Sequence, residues 1–189
     1  MNEKIRSLTN IGYLKGGLFC LLLVFLFAGC ANGPGKFDPN VKGPQMVVEP
    51  EMLTLGVATV TGTPLTFRGK GFQPGDSVFV ELLGVKKEGG VGNVPIGDAD
   101  VDKNGEFTAT VSTLSKVTEL LRASLGSNAK METTIILTQP TIPPGVYTAR
   151  AVSMESNDKA ECKLDLKAPY SWDKFKDWLG VKTGKIVKK

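Results

Sequence analysis

One run of nine residues groups five side chains with oxygen donors that could act together: Asp98-Ala99-Asp100-Val101-Asp102-Lys103-Asn104-Gly105-Glu106. Asp100, Asp102 and Asn104, followed by Gly105, match the start of a calcium loop, whose oxygen ligands recur at every second position. The match fails at the twelfth position, where a bidentate Glu is required and Val111 stands. The alternation also places Asp98, Asp100 and Asp102 on one face of a strand and Ala99 and Val101 on the other. The expected reading is a solvated strand face ending in an Asn-Gly hairpin turn, with Asp98, Asp100, Asp102 and Asn104 a weak candidate cation site and no other metal set. Crowded carboxylates can also serve as a general acid and base, but nothing in the sequence places a substrate between them.

Other nucleophiles and loops offer less. The chain has no histidine, which excludes Ser-His-Asp and Cys-His catalysis and removes the commonest metal ligand. Gly89-Gly90-Val91-Gly92 lacks the G-x-x-x-x-G-K-[ST] pattern of a phosphate loop and reads as part of a loose loop from Lys86 to Gly92. Ser112, Ser115, Ser124 and Ser127 have no base partner and no G-x-S-x-G setting. Cys162 lies in Ala160-Glu161-Cys162-Lys163-Leu164-Asp165-Leu166-Lys167, where apolar and charged residues alternate as in a half-buried strand. That places its thiol on the apolar side, as a core residue. No catalytic residue and no cofactor is expected, and the chain is not read as an enzyme.

The tail carries the sharper signal. In Tyr170-Ser171-Trp172-Asp173-Lys174-Phe175-Lys176-Asp177-Trp178-Leu179 the rings of Trp172, Phe175 and Trp178 fall at helical spacing, with Lys174 and Lys176 elsewhere on the wheel. Both tryptophans of the chain are here. Pro169 precedes the segment and Ser171 can cap it. Tryptophan and lysine on an amphipathic helix suit a membrane interface. Three destinations fit the ring-bearing face: the domain itself, a membrane surface, or a protein or anionic-polymer partner. Residues 167–189 hold seven lysines against Asp173 and Asp177, whereas the formal charge of the whole chain is only +4. The basic patch is too small and the compartment wrong for nucleic acid.

The compartment is read from the other end. Leu18 to Cys30, LFCLLLVFLFAGC, is a short apolar run behind Lys4, Arg6 and Lys15. Basic residues, a core of about a dozen apolar ones and a small-residue site make a secretory signal. Spanning a bilayer takes about 20 apolar residues, more than this run supplies. Phe27-Ala28-Gly29 is a poor ordinary cleavage site. Phe27-Ala28-Gly29-Cys30 resembles a bacterial lipobox, departing from it at Phe27, where Leu is preferred. The resemblance implies cleavage before Cys30 and acylation of Cys30, so that the partner of the chain's N-terminus is a lipid bilayer. Ala31 follows the cysteine in place of an aspartate, which implies the outer membrane in a two-membrane cell. With Cys20 removed and Cys30 acylated, Cys162 has no disulfide partner.

These elements must be carried by a fold, and the rest of the chain reads as short strands between turns. The expected organisation is a signal peptide at 1–29, a flexible Gly/Pro/Asn-rich tether at 30–45, a β domain at 46–167 and a basic aromatic tail at 168–189. Leu65–Gly69, Ser77–Leu83, Glu106–Val111, Glu132–Leu137, Val146–Val152 and Ala160–Leu166 are strand-like. Leu114, Val117, Leu121 and Leu125 predict a short amphipathic helix over 114–125, capped by Gly126.

Three pieces carry a resemblance: Gly69-Lys70-Gly71-Phe72-Gln73-Pro74-Gly75-Asp76, Asp102-Lys103-Asn104-Gly105-Glu106-Phe107, and Pro144-Gly145-Val146-Tyr147-Thr148-Ala149. Together they resemble the bacterial Ig-like domains. The resemblance covers about residues 46–167. It implies an all-β fold, an Ig-like β-sandwich of about seven or eight strands, here with one short inserted helix and a C-terminal amphipathic helix. It also implies a tyrosine-corner role for Tyr147. Such motifs set turns and packing and say little about function. The expectation is an envelope lipoprotein presenting a non-catalytic binding or structural module to an envelope protein or polysaccharide. An accessory subunit of an envelope transport, secretion or adhesion complex is the alternative.

Overall fold

Alternation of apolar and polar residues sets most of the observed strands. In the computed structural model, residues 35–87, 89–128 and 130–188 are described. The expected signal segment 1–29 and Cys30 lie outside them. A first sheet is antiparallel, in the order β1 (Gln45–Glu49), β3 (Thr66–Lys70), β6 (Glu106–Thr110). Its inward residues are Met46, Val48, Phe67, Phe107 and Ala109. Gly69 sits opposite Phe107 because the ring needs its space: a Cβ on Gly69 would stand 2.0 Å from Phe107 Cε1. The ring instead meets Phe72 edge-on at 5.1 Å.

A second sheet has the order β2 (Met52–Thr54), β10 (Lys159–Lys167), β9 (Gly145–Ser153), β4 (Ser77–Lys87), β5 (Gly90–Asp100). β2 runs parallel to β10 and the other pairs are antiparallel. Val78, Val80 and Leu82 of β4, Ala149 and Ala151 of β9, and Leu164 and Leu166 of β10 point into the same core as the first sheet. Each fully buried Val, Leu or Phe contributes about 1.5–3 kcal/mol. The described residues belong to one compact unit with its own hydrophobic core.

Two expectations for the connections fail. The loose loop at Lys86–Gly92 is instead the tip of the β4–β5 ribbon, turning at Gly89 and Gly90, both at positive φ. Asn104-Gly105 does not close a hairpin: β5 lies in the second sheet and β6 in the first, so the turn carries the chain between sheets. Asp102 Oδ1 accepts the N–H groups of Asn104 (2.8 Å) and Glu106 (2.9 Å), and Gly105 adopts φ +76°.

The predicted helix over 114–125 is also corrected. Helix α2 (Thr113–Ser115), capped by Ser112 Oγ on the Ser115 N–H, runs into a π-helical turn at Lys116–Leu120. Arg122, at φ +51°, ends it. Val117 and Leu121 are buried as the helical face requires, but Leu114 is exposed. Leu125 belongs to strand β7 (Ala123–Ser127), which pairs with β8 (Thr133–Leu137). Strand β11 (Ile186–Lys188) adds parallel to β8 and completes a third sheet. Two further helices are α1 (Val57–Gly62) and α3 (Ser171–Lys182). The described residues hold eleven strands, eight in the first two sheets and three in the third, and the chain is mostly β.

Of the segment expected as a tether, residues 35–45 are described. Gln45 Nε2 donates to the carbonyls of Asp38 and Val41, Arg68 donates to the carbonyl of Gly35, and Lys70 lies over the Phe37 ring at 5.0 Å.

Candidate contact surface on the C-terminal helix

Helix α3 begins after Pro169, which has no N–H to give, with Tyr170 rather than Ser171 as its N-cap. Asp173, three residues on, accepts the Tyr170 N–H at 2.9 Å. Its other oxygen accepts the Thr59 hydroxyl at 2.5 Å, so Asp173 is buried against α1. Burial pushes its pKa up, but the hydrogen bonds from Thr59, the Tyr170 N–H and Thr54, with the charge of Lys176, outweigh it and hold the carboxyl below its ordinary range. Gly56 makes room for this contact: a Cβ there would meet Asp173 Cβ at 2.7 Å.

Asp177, one turn later, caps α1 from outside. Its two oxygens accept the N–H groups of Val57 and Ala58, each at 3.0 Å. Gly56, the N-cap residue of α1, has no side chain to do this. The other end of α1 is closed by Lys116, buried, whose ammonium donates to the carbonyls of Thr61 (3.3 Å) and Thr63 (2.8 Å); burial lowers its pKa. A short helix is thus held by an anion at its N-terminus and a cation at its C-terminus, as the helix dipole favours.

The consequence for α3 is that its acidic residues face inward and its rings outward. Trp172 is 63 % exposed, Phe175 49 % and Trp178 54 %. The rings line up along one face, Trp172 to Phe175 at 5.4 Å and Phe175 to Trp178 at 5.9 Å between centroids. Lys176 lies 5.7 Å from the Trp172 ring and Lys182 5.9 Å from Trp178, within cation–π range. Lys174 is exposed. The structure therefore brings together the five tail residues singled out in the sequence, Trp172, Phe175, Trp178, Lys174 and Lys176, and does not bury the rings against the domain. Sequence reasoning missed the roles of Asp173 and Asp177, which look like ordinary polar positions on the helical wheel.

The far end of α3 is fixed as well. Gly180 lets it approach β11 closely, since a Cβ there would stand 2.6 Å from Ile186 Cδ1. Beside this packing an apolar groove of about 530 Å³ runs between α1, α3 and the third sheet, lined by Val57, Leu125, Ile135, Leu179 and Ile186, with Lys176 and Lys185.

The other candidates sit elsewhere. Asp98 and Asp100 are exposed on β5, with Asp100 accepting the Ser77 hydroxyl at 2.8 Å. Asp102 spends its oxygens on the turn, and Asn104 Nδ2 donates back to it. No group of three or more acidic or Cys residues placed to hold a metal occurs among the described residues. Cys162 is half-buried in β10; burial, and then the charge of Glu51, push its thiol up to about 12.

Asp76, read in the sequence only as part of a turn, is buried. It accepts the Ser153 hydroxyl and the N–H groups of Ser77 (2.6 Å), Glu155 (3.1 Å) and Ser156 (3.0 Å). The Ser153 bond and those amides, against the opposing effect of burial, lower its pKa to about 2.

No protein-family model matches the chain, and no curated protein matches it. Among solved structures it is similar to a β-glucosidase from Listeria innocua in complex with glucose, at 14 % identity and TM-score 0.34, over 66 % of this chain and 16 % of that one. It is also similar to an alkylpurine DNA glycosylase from Pseudomonas fluorescens bound to DNA with an abasic site analogue, at 12 % identity and TM-score 0.34, over 67 % and 31 %. The chain spans less than a third of the length of either protein.

Proposed function

We propose that this chain is an envelope lipoprotein, anchored through acylated Cys30, that presents a non-catalytic Ig-like sandwich. The observation that carries the fold reading is the strand order. Lettered as in Ig domains, β1-β3-β6 is A-B-E, and β2-β10-β9-β4-β5 is A′-G-F-C-C′. Tyr147 adds support: at the start of β9, the F position, its hydroxyl donates to the Pro143 carbonyl at 2.7 Å, the bond of a tyrosine corner. Ala149 stands two residues later, where disulfide-bearing relatives of that fold place a cysteine, so the sheets are joined by packing alone.

The anchor is tested by expressing the full chain in a bacterial host with labelled palmitate. The expected result is label in the mature protein, lost in Cys30→Ser, and a longer precursor when the lipoprotein signal peptidase is inhibited. A mature, unlabelled chain cut at another bond would overturn the lipoprotein reading. The sandwich reading is tested by measured distances across the two sheets, and a strand order other than A-B-E against A′-G-F-C-C′ would remove it.

A further inference from the structure

We infer that the outer face of α3 is a second membrane contact, selective for anionic lipid. The inference goes beyond the lipid at Cys30 and does not depend on it. Three observations carry it. First, the polarity of α3 is inverted for a helix docked on a soluble domain: Asp173 and Asp177 point inward and are hydrogen-bonded, while Trp172, Phe175 and Trp178 face water. A helix that only needed to pack on its domain would bury the rings and expose the carboxylates. Second, the exposed charge on α3 is positive. Lys174 and Lys182 are exposed and Lys176 is half-exposed, while Asp173 is buried and Asp177 half-buried, both turned toward α1. Third, the ridge is built rather than loose. The aspartates tie α3 to α1 and the Gly180–Ile186 contact ties it to β11, so the three rings are presented in a fixed row without an ordering cost at binding.

Trp172 and Trp178, apolar at the body with an indole N–H at the edge, belong at the interface of a bilayer, with Phe175 adding apolar surface between them and lysines reaching the headgroups. Each lysine near an anionic surface is worth about fivefold in partitioning, the equivalent of about 1 kcal/mol. A second copy of the chain would bring the same positive charge to the same face and is disfavoured on that ground.

Both tryptophans stand on the ridge, so their fluorescence reports on it directly. The test uses residues 31–189, without the lipid, with vesicles of phosphatidylcholine alone or mixed with phosphatidylglycerol. The expected result is flotation and a blue-shifted emission with the mixed vesicles, and little of either with phosphatidylcholine alone. Lys174→Glu/Lys176→Glu/Lys182→Glu should lower partitioning by roughly a hundredfold or more. Trp172→Ala/Phe175→Ala/Trp178→Ala should stop flotation while keeping the parent's circular dichroism and melting temperature. If that variant melts lower, the single Phe175→Ala, which keeps both reporters, takes its place. The inference is overturned if the chain floats with neither vesicle, if it floats as well without the rings, or if emission shifts with protein concentration in the absence of vesicles, which would make a second copy the occupant. Failure here leaves the palmitate result untouched, and failure of palmitate labelling leaves this result standing.

Discussion

Removing the Asp177 carboxylate should loosen α1, a helix Asp177 does not belong to. In Asp177→Ala the N–H groups of Val57 and Ala58 lose the acceptors they hold at 3.0 Å. Loss of an N-cap acceptor costs about 1 kcal/mol, and a partly buried anion at a helix N-terminus adds up to about 1 kcal/mol more. Together they amount to about 2 kcal/mol. A local residue cannot replace the cap, because any Cβ at Gly56 collides with Asp173. Asp177→Asn keeps one acceptor and should lose about half as much. Hydrogen exchange is the sensitive assay: the amides of Val57 and Ala58 should exchange about thirtyfold faster if the loss is local. If the whole unit responds, the melting temperature should fall by about 4–8 °C. Unchanged protection at both amides, with unchanged melting, would show that water replaces the carboxylate without loss, and the account of α3 as a fixed platform would fall with it.

Other outcomes are accessible with the same protein. Asp76 has its folded pKa depressed to about 2, so its stabilising contribution is complete above its unfolded value near 4 and is lost as pH falls through about 2. Acid titration followed by circular dichroism should show that arm flattened in Asp76→Asn, and a parallel acid profile would refute the role. Tyr147→Phe removes the bond to the Pro143 carbonyl and should cost about 1 kcal/mol, read as a denaturation midpoint shift without a change in slope. Cys162, raised to about 12, should react with a disulfide reagent at neutral pH only after unfolding, and rapid labelling of the native chain would place the thiol outside the core.

What the sequence made legible was local. The Ala160–Leu166 strand was readable because apolar and charged residues alternate with period two, and Ser77–Leu83 and Val146–Val152 because runs rich in Val and aromatic residues follow turn residues; the observed spans extend those readings by a few residues. α1 was not readable, because Val57, Thr59, Val60 and Thr61 are β-branched and its cap lies 120 residues away in the chain. β11 is three residues long and exists only through its pairing with β8. The turn at Asn104-Gly105 has the right residues for a hairpin, yet which sheet each flanking strand joins depends on partners remote in sequence. At the contact surface, spacing placed the rings and lysines on a helix correctly. It could not say which way the helix faces, because that is decided by two aspartates whose partners are in α1.

The pairing of β11 with β8 also bears on when the molecule can finish folding. The second sheet waits for β10, since β2 and β9 both pair with it, and the third waits for residues 186–188. Long-range closures of this kind are slow, and here neither sheet can close before the strand that joins its parts, β10 in the second and β11 in the third, has been made.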